Sequence, residues 1–106
     1  MNKNQEERIA GYLTIMSDTL YAKGNDYSGE EDTLANFKEL TSVGVSPELH
    51  IFTRITDKFC RIRNYFSKGG SYQVKESVKD SLLDLANYCL LFCLVIDEKG
   101  DNDEKS

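Results

Sequence analysis

The sequence predicts an all-α fold, a helical bundle of three long helices and one short helix, on three observations. Apolar residues recur at intervals of three or four through three separate stretches, the spacing that puts them on one face of a helix. Clusters of glycine with small polar residues separate those stretches, at Gly24 to Gly29 and at Ser67 to Ser71. No stretch alternates apolar and polar residues as a half-buried strand does.

The first helix is expected to start at a cap near Asn4, with Glu6 and Glu7 in its first turn. Ile9, Leu13, Met16 and Leu20 form its apolar stripe, and Gly24 is placed to end it after Lys23. The loop Gly24-Asn25-Asp26-Tyr27-Ser28-Gly29 follows; by composition alone it is a surface turn with one aromatic plugging the core. A short helix begins at Asp32 or Thr33, with Leu34, Phe37 and Leu40 inward, Asn36 on its flank and Gly44 at its end. Ser46-Pro47-Glu48 starts the next long helix with a capping serine, a proline at the first position and an acid in the first turn. Phe52, Ile55, Phe59, Ile62 and Phe66 are its expected core stripe. The last helix is organised around Glu76 to Ile96, where Val78, Leu82, Leu85, Cys89, Phe92 and Ile96 share a face. Tyr88, Leu91 and Val95 make a second side apolar, so this helix should be buried on both sides. Residues 1–96 then form one domain, and 97–106, charged and nearly free of apolar residues, a disordered acidic tail.

Composition excludes several functions. With 13 basic and 18 acidic residues the net charge is −5, which argues against a protein that coats long nucleic acid. No apolar run approaches the roughly 20 residues of a membrane span, and Met1 to Arg8 has no signal-peptide apolar region, so a cytoplasmic protein with no membrane partner is expected. The cysteines, 3 in number, lie on or beside apolar faces and form no zinc-knuckle spacing with the lone His50; packing is their expected role. One histidine without a strand framework makes a Ser-His-Asp triad implausible, and no glycine-rich phosphate loop is present.

Two charged rows carry the chemistry. Glu76, Asp80, Asp84 and Asn87 lie along one side of the last helix, and Arg54, Lys58, Arg61 and Tyr65 along one side of the helix before it. Two readings are open. The rows can pair as surface salt bridges worth about 0 to 1 kcal/mol each, with no further role. Alternatively they wall an anion site, in which carboxylates one turn apart hold Mg²⁺, Arg and Lys clamp phosphates, and Tyr27, Tyr65 or Tyr88 stacks on a base.

The order Lys23-Gly24-Asn25-Asp26-Tyr27, Leu34-Ala35-Asn36-Phe37, Lys58, Arg61-Ile62, Glu76-Ser77, Asp80 and Asp84-Leu85-Ala86-Asn87-Tyr88 resembles the small phage and bacterial nucleotide modification associated domains. These are similar to the MazG-like all-α nucleoside triphosphate pyrophosphatases. The resemblance runs over residues 8–96. It implies a bundle completed by oligomerisation, a dimer or tetramer, with a nucleotide between the long helices. Lys58 and Arg61 would then hold phosphates. Lys23, Asp26, Tyr27 and Asn36 would close the pocket, and Asn87 and Tyr88 would complete it. Mg²⁺ on Glu76, Asp80 and Asp84 would orient water toward the α-phosphate, with Asp80 and Asp84 as catalytic acids. One departure matters: MazG-like enzymes carry Glu-x-x-Glu on the preceding helix, where this chain has Lys58 and Arg61 with only Asp57 as an acid.

Three functions follow as expectations. The first is a MazG-like nucleotide-binding domain, with or without Mg²⁺-dependent hydrolysis of a (deoxy)nucleoside triphosphate to monophosphate and pyrophosphate. The second is a non-catalytic phage protein that sequesters a cyclic or modified nucleotide, for example a host-defence signal. The third is a helical oligomerisation module whose charged rows are salt bridges.

Overall fold

The computed structural model describes the backbone of residues 1–28, 32–69 and 72–105, and the side chains of all these except 23–28, 72–77 and 103–105. Its elements are α1 (Lys3–Ser28), α2 (Ala35–Lys38), a 3₁₀ turn (Thr41–Val43), α3 (Pro47–Ser67) and α4 (Tyr72–Lys105). The fold is all-α: three long helices, one short one, and no strand among the described residues.

Local chemistry accounts for most of the ends. Asn2 and Gln5 cap α1 reciprocally: the Gln5 N–H donates to Asn2 Oδ1 at 2.8 Å and the Asn2 N–H to Gln5 Oε1 at 3.2 Å. Asp32 Oδ1 accepts from the Leu34 N–H at 2.9 Å, tightening the turn into α2. The 3₁₀ turn closes as Val45 N–H bonds the Leu40 carbonyl and Gly44 N–H the Thr41 carbonyl, with Gly44 at φ 88°. Ser46 caps α3 through its hydroxyl, which accepts from the Leu49 N–H at 3.1 Å, with Pro47 first in the helix.

Several ends differ from expectation. The short helix expected from Asp32 or Thr33 to Gly44 runs only over Ala35–Lys38 before the 3₁₀ turn, and Leu40 is exposed and not inward. α1 does not stop at Lys23 but runs through Gly24 and Asn25 to Ser28. Glycine costs a helix interior only about 1 kcal/mol relative to alanine, so it permits a stop without imposing one. α4 likewise continues past Ile96 to Lys105. The charged composition that suggests a tail also suits a solvated helix, and its first turn has partners: Glu98 lies 3.2 Å from Lys38, and Lys99 lies 3.7 Å from Glu48.

The core is small. Leu34, Ile51, Leu91 and Val95 are buried together, with Leu20, Phe37, Ile55, Tyr88 and Phe92 packed around them. It sits where the end of α1, α2, the start of α3 and the middle of α4 converge. Ile51, not Phe52, is the buried anchor of α3: the expected stripe holds at Ile55 and Ile62, while Phe52, Phe59 and Phe66 give way to the residue before each. Phe52, Phe59 and Phe66 are 56%, 58% and 74% exposed. The seam with α4 uses Ile51, Ile55, Lys58, Ile62 and Tyr65, whose spacings of four and three fit a helix face equally well. Ile9 and Leu13 on α1 and Leu82 and Ile96 on α4 are exposed too. The second apolar side expected of α4 is real, and it is the inner one.

Candidate functional site

The four helices enclose a cavity of about 440 Å³, within the range of small-molecule sites. α1 contributes Thr19 and Leu20, while the turn before α2 and its continuation supply Thr33, Asn36, Phe37 and Glu39. His50 and Arg54 come from α3, and Asp84, Asn87, Tyr88 and Leu91 from α4. Its inner wall is the core itself, through Phe37, Tyr88 and Leu91. The Phe37 ring meets the His50 ring edge to face at 5.0 Å between centroids and the Tyr88 ring at 6.3 Å.

Among the described residues, two side-chain polar atoms are buried without a partner, His50 Nδ1 and Asn87 Oδ1, and both belong to residues that line the cavity. Asn87 is 6% exposed, and its amide orientation is set by α1, because Nδ2 donates to the Met16 carbonyl at 3.2 Å. Only the nitrogen can make that bond, so Oδ1 is left as a pure acceptor. Leaving such an atom unpaired costs about 1–3 kcal/mol, which a ligand donating to it recovers.

Among the described residues the charged rows meet at one point. Lys58 Nζ lies 3.0 Å from Asp84 Oδ2, with the two side chains 15% and 28% exposed. The salt-bridge and anion-site readings of the sequence thus converge on one pair, since Asp84 also lines the cavity. Arg61 points elsewhere: it is exposed, pairs with Asp57 at 3.6 Å along its own helix, and does not line the cavity. Asp80, one turn from Asp84, is exposed outside the cavity. Asn36, Asp84, Asn87 and Tyr88 are therefore brought together; Lys58 reaches them through Asp84. The side chains of Lys23, Asp26, Tyr27 and Glu76 lie outside the described residues. Among the described residues no group of three or more His, Cys, Asp or Glu side chains is placed to hold a metal ion. The acids that are described fit Mg²⁺ poorly, because an ammonium group already neutralises Asp84.

Sequence reasoning gave His50 no role in the site, and it placed Arg54 only in the row read as clamping phosphates, with Lys58 and Arg61 as the named phosphate contacts. The signal was there: the row Arg54, Lys58, Arg61, Tyr65 extended back by one turn lands on His50. Thr19, Thr33 and Glu39 had no such signal, since only the packing of α1 and α2 on the hairpin brings them in.

α3 and α4 up to Ile96 supply half of the residues that line this cavity, among them the two that carry the unpartnered atoms. Residues 47–96 match the family model of nucleotide modification associated domain 1. The matched span of this domain is the α3–α4 hairpin, so the lining from α1 and α2 falls outside it. Its description points to a nucleotide-related role. No curated protein and no solved structure matches the chain.

Proposed function

We propose that the chain binds a nucleotide, with the nucleoside part seated in the cavity between the four helices and the phosphate toward Arg54. The buried, unpartnered Oδ1 of Asn87 carries this reading: an acceptor held rigid in an aromatic cavity is suited to an N–H of a base or a hydroxyl of a sugar. Phe37, Tyr88 and His50 supply ring surface, and Asn36, Thr19 and Thr33 further polar groups. Binding without turnover is favoured over hydrolysis by the Lys58–Asp84 pair. A Mg²⁺ ion on Asp84, as the MazG-like resemblance implies, would have to displace Lys58 at 3.0 Å.

Equilibrium dialysis against a mixed nucleotide pool, followed by mass spectrometry of the denatured protein, tests this. The expected result is an unchanged nucleotide retained by the wild type and lost from Asn87→Leu, which keeps the side-chain volume and removes the acceptor. Circular dichroism checks that the variant stays helical. Monophosphate and pyrophosphate accumulating with Mg²⁺, and ceasing in Asp84→Asn, would replace binding with hydrolysis.

We also infer that the protein acts as a homodimer through the hairpin face turned away from the cavity. Phe52, Phe59 and Phe66 on α3 and Leu82, Cys89 and Ile96 on α4 each recur every seven residues, and all six are exposed. At about 100° per residue, each stripe lies across the interhelical seam from the cavity residues of its own helix. An antiparallel hairpin with such stripes is half of a four-helix bundle, and a second copy is the self-complementary other half. The radius of gyration, 16.3 Å against about 13 Å for a compact domain of this length, supports a protomer not closed on itself.

A further inference from the structure

The charges around the cavity point to a preference that nothing else about the chain assigns, and it rests on the nucleotide reading above. Among the described residues that line the cavity, Arg54 is the one cation, and no carboxylate pairs with it. Glu39 lines the same space as an anion, and Asp84 lines it with its charge offset by Lys58. Lys58 stands behind Asp84, its charge already engaged at 3.0 Å, and Arg61 is paired with Asp57 outside the cavity. The two cations from which the sequence would build a polyphosphate clamp are thus both committed to carboxylates.

We infer that this site takes a nucleotide carrying a single phosphate group, a nucleoside monophosphate or a phosphodiester, and discriminates against triphosphates. One guanidinium matches one phosphate through its planar fork. Each further phosphate adds negative charge near Glu39, and among the described residues that line the cavity there is no second cation to meet it. Were the polyphosphate to draw Lys58 away, Asp84 would be left uncompensated in a partly buried position, so the gain on one side is cancelled on the other.

The test is retention by the full chain, in the absence of divalent cations, of an equimolar mixture of AMP, GMP, CMP and UMP, measured against the corresponding triphosphates, 3′,5′-cyclic monophosphates and free nucleosides. The expected result is at least tenfold tighter binding of the best monophosphate or cyclic monophosphate than of the triphosphate with the same base, and the two phosphate arms separate monoester from diester. Arg54→Gln should lose that phosphate advantage, with nucleoside binding kept; Arg61→Gln, equally cationic but outside the cavity, should leave the profile unchanged. Triphosphates bound as tightly as monophosphates would overturn the single-phosphate inference and leave the nucleotide site standing. Retention of no nucleotide or nucleoside would overturn both.

Discussion

At the scale of single residues, burial and role diverge along this chain. Ile51 is fully buried while its neighbour Phe52 is 56% exposed, so the smaller residue anchors α3. Ile51→Ala should cost about 2–5 kcal/mol in denaturant unfolding, the range for emptying a core position; a cost under half the lower bound would mean that the core is placed wrongly. Lys38 bridges Asp32 at 2.7 Å and Glu98 at 3.2 Å and ties α2 to α4. The hydrogen bond from Lys38, then that from the Leu34 N–H, holds the Asp32 carboxyl below its ordinary 3.8, and the Asp32 hydrogen bond holds Lys38 above its ordinary 10.5. The Asp32 contribution is present above the unfolded carboxyl value and is lost as pH falls through the lowered folded one. The Lys38 contribution is full below its unfolded value and is lost as pH rises through the raised folded one. The stability difference between wild type and Lys38→Met should therefore be flat between those ordinary values and shrink beyond either. Both side chains are more than a third exposed, so the plateau is low.

At the scale of elements, short-range chemistry explains starts better than stops. The Ser46-Pro47-Glu48 start is realised as read, because a hydroxyl acceptor and a missing N–H meet needs within one turn. Ser46→Ala should lower stability by about 1 kcal/mol in chemical unfolding. Gly44 sits at φ 88°, where a Cβ would meet nothing within 4 Å, so Gly44→Ala should cost about 1–2 kcal/mol from backbone conformation alone. Gly24, with similar chemistry, does not end α1. A glycine stops a helix only where the chain must turn, and that need comes from what the helix packs against.

At the scale of the whole molecule, the α3–α4 hairpin carries a cavity on one side and an exposed heptad-spaced apolar face on the other, the surfaces to which we assign binding and assembly. Phe59→Glu should shift the protein to a monomer in analytical ultracentrifugation and leave nucleotide retention intact. A wild type that stays monomeric at high concentration would exclude the bundle assembly. Asp84, Asn87 and Tyr88, which line the cavity, lie along one side of α4 that periodicity defines, whereas Asn36 on α2 was singled out only by the family resemblance. Arg61 and Asp80 belong to the same rows but lie outside the cavity, since a row runs the length of a helix while a cavity spans about two turns of it. The sequence by itself determined the all-α class, the start of α3 and which residues share a face, because these depend on contacts within a few residues. Only the tertiary structure decided which of two overlapping faces of α3 turns inward, that Lys58 takes Asp84, and that His50 and Arg54 share a cavity with Thr19 and Asn36. Those outcomes depend on how far each helix is rotated about its axis, and that rotation is set by the partners it packs against.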